Sequence, residues 1–193
     1  MRKVFIVVLI FITAIQSSTA QDKKRTGFRI GFNYSSLRAE VLREKSVSDF
    51  KPGLSIAIFQ DIPLNGMVSF QPALAFNRFG GESADIRTKL DYVSIPTLFK
   101  FHGKHLGFVV GPQVSLLVKG KQKEQYQTEI DLKNELSSVD VSAVAGLEYS
   151  LGKKDQFVIA ARYLYGVNNI AKDAGSGNSL RNQAAQLTVG FQF

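Results

Sequence analysis

The sequence predicts an all-β protein, an eight-stranded antiparallel transmembrane β-barrel of up-and-down topology. Three observations carry that reading. Apolar residues recur at every second position in eight separate segments of the 193-residue chain, which is the period of a two-faced strand. The connections between those segments alternate between short and long. An export leader opens the chain, no later run reaches the ~18 to 20 apolar residues of a membrane helix, and the last strand ends on an aromatic residue, Phe193.

The leader has three parts. Arg2 and Lys3 form its positive start, Val4 to Ile12 its apolar run, and Ser18-Thr19-Ala20 the small residues at which a signal peptidase cuts. Residues 1–20 are expected to be a signal peptide cleaved after Ala20, and residues 21–193 a single outer-membrane β-barrel domain. The chain has no cysteine, which excludes lipidation of an N-terminal cysteine, disulfides and thiolate metal ligands. Its formal net charge of +8 falls to about +6 with the loss of Arg2 and Lys3. On an exported chain that balance fits solvated loops, and beside them the phosphates of lipopolysaccharide or of anionic lipids, rather than nucleic acid.

The first strand, residues 27–39, sets Phe28, Ile30, Phe32 and Tyr34 against Arg29, Gly31, Asn33 and Ser35. Leu54, Ile56 and Ile58 mark the second. The third carries Val68, Phe70, Pro72, Leu74 and Phe76 opposite Ser69, Gln71, Ala73, Ala75 and Asn77. Val93, Ile95, Thr97, Phe99 and Phe101 mark the fourth. In the fifth, Leu106, Phe108, Val110, Pro112, Val114 and Leu116 alternate with Gly107, Val109, Gly111, Gln113 and Ser115. The sixth places Val139, Val141, Ala143, Ala145, Leu147 and Tyr149 against Asp140, Ser142, Gly146 and Glu148. The seventh has Phe157, Ile159, Ala161, Tyr163 and Tyr165 opposite Ala160, Arg162 and Gly166, and the eighth ends in Leu187, Val189, Phe191 and Phe193.

Residues 40–51, 79–89, 119–137 and 168–182 read as long polar connections, and residues 61–66, 102–105 and 152–155 as tight turns. An even-stranded membrane barrel with short periplasmic turns and longer external loops has this alternation, and it places both termini in the periplasm. A soluble lipocalin-like carrier also alternates, so composition of the polar face decides between them. That face is mostly Gly, Ala, Ser, Asn and Gln, which suits a confined lumen, while the apolar face is large and aromatic, which suits lipid. Phe28, Phe101, Tyr149, Phe157, Phe191 and Phe193 fall at one rim and Tyr34, Phe76 and Tyr165 at the other, as in two aromatic girdles. Closure removes strand edges, whose unpaired backbone groups cost several kcal/mol in hydrocarbon. Pro72, Pro96 and Pro112 lack the ladder donor, and local bulges are expected there.

Arg29, Lys100, Asp140, Glu148 and Arg162 fall on inward phases and form the candidate lumen charge network. A buried charge requires a partner, and Glu148 with Arg162, on neighbouring strands across a short turn, is the first expected pair. The structural reading is a plug of ion pairs; the functional one is a transport path. Eight strands leave an interior only wide enough for side chains, which disfavours a solute pore. His102 and His105 share a turn but have no nearby carboxylate or thiol to complete a metal site. No histidine accompanies the serines of the external rim, so no catalytic residues, metal or cofactor are expected. The third long connection starts Lys119-Gly120-Lys121-Gln122-Lys123-Glu124-Gln125-Tyr126 and continues through Asp131, Lys133 and Glu135. It reads as a solvated loop, with lipopolysaccharide phosphates or another protein as its possible contacts. Gly175-Ser176-Gly177 lacks the lysine and helix of a phosphate loop. Phe193 is expected to serve as the signal that the barrel-assembly machinery reads.

Four segments together resemble a known family. They are Gly27-Phe28-Arg29-Ile30-Gly31-Phe32-Asn33; Tyr92-Val93-Ser94-Ile95-Pro96-Thr97-Leu98-Phe99-Lys100, which fits a Y-(x)-x-I-P-x-L-x-K strand; Gly111-Pro112 with Leu116-Leu117; and Arg162-Tyr163-Leu164-Tyr165-Gly166-Val167-Asn168-Asn169-Ile170, which fits R-Y-x-x-G-(L/V)-x-N-I. With the terminal Val189-Gly190-Phe191-Gln192-Phe193 they resemble the PorT-like outer-membrane β-barrel family of the Bacteroidetes. The resemblance implies an integral outer-membrane barrel, in a family whose founding member is linked to protein secretion and gliding machinery. The expected role is non-enzymatic, structural or accessory, exercised through external loops in secretion or adhesion. A small-solute transporter is the alternative, and a soluble lipocalin-like carrier the next.

Overall fold

The computed structural model describes residues 24–41, 44–83, 86–124, 130–152, 155–172 and 178–193. The leader with its Ala20 cleavage site, Tyr126 and the Gly175-Ser176-Gly177 segment lie outside the described residues. Ten strands follow in chain order: β1 (Arg25–Val41), β2 (Glu44–Val47), β3 (Asp49–Pro63), β4 (Val68–Ser83), β5 (Ile86–His102), β6 (Leu106–Glu124), β7 (Ile130–Asp131), β8 (Val139–Leu151), β9 (Phe157–Gly166) and β10 (Ser179–Gln192). Eight of them form one closed antiparallel wall, β1-β3-β4-β5-β6-β8-β9-β10, in which β10 pairs back on β1 from Gly27 opposite Gln192 to Glu40 opposite Ser179. The short β2 and β7 ride on the far ends of β1 and β6. No described residue is helical.

The alternation read from the sequence sorts the side chains between two faces. Phe28, Ile30, Phe32, Leu187 and Val189 point out of the barrel, Phe32 with 67% of its surface exposed, while Arg29, Asn33, Gln71, Ser94 and Thr188 are buried inside. Such an arrangement is inside-out for water, where apolar area costs ~25 cal/mol per Å²; against lipid that cost vanishes. At the end where β1 begins and β10 finishes the outward aromatics touch: Phe28 and Phe157 pack on Phe191 at 6.3 and 5.4 Å, Phe193 lies 6.5 Å from Phe191, and Phe101 lies 6.4 Å from Phe108. Tyr34 stacks on Phe50 at 5.1 Å toward the other end.

Two expectations are corrected. The segments 40–51, 79–89, 119–137 and 168–182 are not loops throughout, because the ladder continues into them: β4 and β5 stay paired to Ser83 opposite Ile86, and β5 and β6 to Ile86 opposite Glu124. Strand pattern is present there in the opposite phase. On β5 the outward residues are Val93, Ile95, Phe99 and Phe101 in one part and Arg87, Lys89 and Asp91 in the other, while the inward ones change from Ser94 and Lys100 to Leu90 and Tyr92. The flip is what a wall shows on leaving hydrocarbon, since beyond it water lies outside and the apolar side chains must turn in. Leu37, Phe79, Leu90, Tyr92, Leu117, Val144, Leu164 and Leu180 belong to that inner apolar cluster, closed from above by Leu132, Leu136 and Ile170, and Leu98 and Val109 continue it along the inner face of β5 and β6 to the level of Lys100.

The second correction concerns the prolines. Pairing lapses for a residue or two beside Pro72, Pro96 and Pro112 and resumes in the same register, so no bulge forms at any of them. A missing donor removes a ladder bond without adding a residue, and only an added residue shifts register. The register shifts lie elsewhere, between Phe50 and Ser55 and between Asp91 and Tyr92.

Candidate functional site

The lumen is filled in three successive layers. Nearest the start of β1 and the end of β10, Glu148 on β8 is wholly buried and gathers four donors from four other strands. Arg29 Nη1 reaches Glu148 Oε1 at 2.9 Å, Arg162 Nη2 donates to the same oxygen, and Lys100 Nζ and Gln71 Nε2 approach Glu148 Oε2 at 3.2 and 3.1 Å. Gln71 Oε1 in turn accepts from Arg29 Nη2 at 3.1 Å and Arg162 Nη2 at 3.0 Å. Lys100 also pairs with Asp61 at 3.4 Å, and the Arg29 guanidinium lies 3.8 Å over the Phe59 ring. Three cations thus share two carboxylates, all five residues buried, and each charge is tolerable there only because of the others.

Glycines provide the room. A Cβ on Gly146 would stand 2.7 Å from Arg162 Cγ, and one on Gly107 2.9 Å from Lys100 Cε. Small residues opposite long charged ones let the stems cross the lumen.

The middle layer is a belt of amides and hydroxyls. Gln186 Nε2 donates to Asn33 Oδ1 at 2.8 Å and Ser55 Oγ at 3.1 Å, Asn77 Nδ2 to Ser94 Oγ at 3.1 Å, and Ser94 Oγ to Ser115 Oγ at 2.9 Å. The apolar cluster under Leu136 and Ile170 forms the third layer.

The structure brings Arg29, Lys100, Glu148 and Arg162 together and leaves Asp140 apart. Asp140 lies eight positions from Glu148 on β8, ~26 Å along the strand at ~3.3 Å per residue, so the expected mutual pairing of all five charges does not occur. Asp140 instead accepts from Asn182 Nδ2 at 2.9 Å, and that amide also lies 3.3 Å from Tyr92 Oη. Asp61 and Gln71 are members that sequence reading missed. The available signal for Gln71 was its inward phase on β4; Asp61 was hidden by being read as part of a turn.

His102 shares a hydrogen bond between its Nε2 and Ser69 Oγ, and His105 packs on Tyr149 at 6.3 Å. Among the described residues no cluster of three or more His, Asp or Glu side chains is placed to hold a metal. An open recess of about 520 Å³ at the terminus end is lined by Arg25, Asp61, Asn65, Ser69, His102 and Asp155. Phe193 closes the seam there: Thr26 N donates to its carbonyl at 3.1 Å, its own N donates to Thr26 O at 2.9 Å, and its ring is 72% exposed.

Among solved structures the fold is similar to that of Ail, the attachment invasion locus protein of Yersinia pestis, in complex with the heparin analogue sucrose octasulfate: identity is 17%, TM-score 0.51, with 89% of this chain and 100% of that one covered. It is also similar to Neisserial surface protein A, at 12% identity and TM-score 0.60, with 86% of this chain and 97% of that one covered. No curated protein sequence matches the chain. Residues 16–172 match the family described as outer membrane protein beta-barrel domain, and the chain belongs to that family as an outer-membrane β-barrel protein.

Proposed function

We propose that this protein is a sealed outer-membrane barrel that conducts no solute and acts as a structural or accessory component through its external β-ribbons, in secretion or adhesion, as a PorT-like protein of the Bacteroidetes. The carrying observation is the filled lumen: a buried ion network around Glu148, an amide belt around Asn77 and Gln186, and an apolar cap under Leu136 and Ile170 lie one above another along the axis. On this reading the leader is cleaved after Ala20, both termini face the periplasm, and the β1–β2–β3, β4–β5 and β6–β7 ribbons face outward from the cell. Arg29, Lys100, Glu148 and Arg162 act as the latch of the lumen, Asp140 and Asn182 as a second tie beneath the cap, and Phe193 as the residue that the barrel-assembly machinery recognises. The partner is a protein or the lipopolysaccharide of the outer leaflet. Ail, similar in fold, was crystallised with the heparin analogue sucrose octasulfate, and the external β5–β6 ribbon of this chain carries Lys89, Lys119, Lys121 and Lys123.

Reconstitution of the pure protein in planar bilayers tests the sealed barrel. Silence at all applied voltages is expected; steady unitary conductance would replace this reading with the transporter.

A further inference from the structure

Outward-facing cations stand one bilayer height from the ring of phenylalanines. Arg38 lies ten residues from Phe28 on β1, Arg181 ten from Phe191 on β10, and Arg78 ten from Val68 on β4, each in the outward phase. Ten residues at ~3.3 Å each, on a strand tilted by ~40°, climb ~25 Å, the height of the apolar band of a membrane barrel. These cations therefore mark the level of lipid headgroups at the end away from the termini.

On the β5–β6 sector the positive charge continues as a ladder. Lys119 stands opposite Asp91, Lys121 directly opposite Lys89, and Lys123 directly opposite Arg87. Like charges in directly opposed positions destabilise a sheet, and two such pairs follow one another here. Among the described residues carboxylates answer part of the charge: Asp91 binds Arg78 at 2.6 Å, Glu82 binds Arg87 at 2.7 Å, and Asp131 stands opposite Lys121. Lys89 itself lies between Lys121 on β6 and Gly80 on β4.

We propose that the outer face of the β5–β6 ribbon, centred on Lys89 and Lys121 with Lys119 and Lys123 beside them, binds the phosphates of the outer-leaflet glycolipid, lipopolysaccharide. A phosphate carries several acceptor oxygens and a double charge, so one seated between two lysines turns a repulsive pair into two charge-assisted hydrogen bonds. What selects a lipid over a soluble anion is the surface immediately below. Val93, Ile95, Val114 and Leu116 lie on the same two strands in the outward phase, where the acyl chains of the same molecule meet them. The site rests on the outward orientation of this end and not on the sealed lumen, so a conducting protein would leave it standing.

The test compares the mature chain in detergent with the variant Lys89→Gln/Lys121→Gln, reading both binding and unfolding temperature. Intact lipopolysaccharide is expected to bind the wild type at least ten-fold more tightly than the variant, and to raise the unfolding temperature of the wild type more. Lipopolysaccharide stripped of its phosphates is expected to bind the wild type at least ten-fold more weakly than the intact molecule, an arm that needs no variant. Equal affinity in wild type and variant, or equal affinity for the stripped glycolipid, would overturn the proposal. So would full stabilisation by inorganic phosphate or by a soluble sulfated oligosaccharide, which would reassign the ladder to a soluble anion.

Discussion

Arg162 reaches Glu148 diagonally across the β8–β9 seam: Arg162 stands opposite Gly146 and Glu148 opposite Ala160, so the guanidinium crosses the gap left by a glycine to the carboxylate two residues along. This diagonal contact ties β8 and β9 to β1, β4 and β5 through the shared carboxylate. Replacing Glu148 by Gln leaves Arg29, Arg162 and Lys100 with Asp61 as the one remaining carboxylate of the layer. Breaking a buried ionic group in this way costs about 3–5 kcal/mol. The urea midpoint of the refolded barrel is expected to fall accordingly, and Arg162→Glu, which sets two carboxylates together, is expected to fall further. Wild-type midpoints in both would contradict the account of the charged layer.

Gly146 and Gly66 make a matched pair of substitutions. A methyl group at Gly146 meets Ala161 O at 2.4 Å and Arg162 Cγ at 2.7 Å, whereas one at Gly66 meets nothing within 4 Å. Overpacking of this kind costs about 1–3 kcal/mol. Gly146→Ala is expected to lower the thermal midpoint of the folded band on unboiled gels, with Gly66→Ala unchanged. Equal midpoints would show that the Arg162 stem has room to spare.

Phe193 joins β10 to β1 at the point where the sheet closes, through two backbone hydrogen bonds to Thr26. Deleting it removes those bonds together with an outward aromatic beside Phe191. The folded, heat-modifiable fraction in cells is expected to fall, while Phe193→Tyr, which keeps both backbone bonds and the ring, is expected to retain it. An unchanged fraction on deletion would remove Phe193 from assembly.

Much of this architecture is written in the alternation. Phe28, Ile30 and Phe32 against Arg29, Gly31 and Asn33 suffice to orient β1, and the same logic placed Lys100, Glu148 and Arg162 in the lumen. Phase, however, carries no depth, which is why Asp140 was grouped with charges eight residues away. Asp61 escaped notice because Asp61-Ile62-Pro63 has the composition of a turn, although β3 runs on to Pro63. The external ribbons escaped for a physical reason of their own. Leu90 and Tyr92 are apolar on the face that is polar at Ser94 and Lys100, so a search for one continuous phase stops where the solvent outside the wall changes from lipid to water. The amide belt of Asn33, Ser55, Asn77 and Gln186 was legible as small polar residues, but its partners depend on register across four strands.

That change of phase on β5 is the part of the account most open to direct measurement. The chain has no cysteine, so single cysteines placed at 87, 89, 93, 95, 98 and 99 in liposome-reconstituted protein report each position alone. A membrane-impermeant maleimide is expected to label 87 and 89 rapidly and to spare 93, 95 and 99, which a lipid-soluble maleimide labels instead; position 98, where Leu98 is buried in the lumen, is expected to resist both. Rapid labelling of 95 and 99 by the impermeant reagent would contradict a lipid-facing outer wall and, with it, the membrane barrel itself.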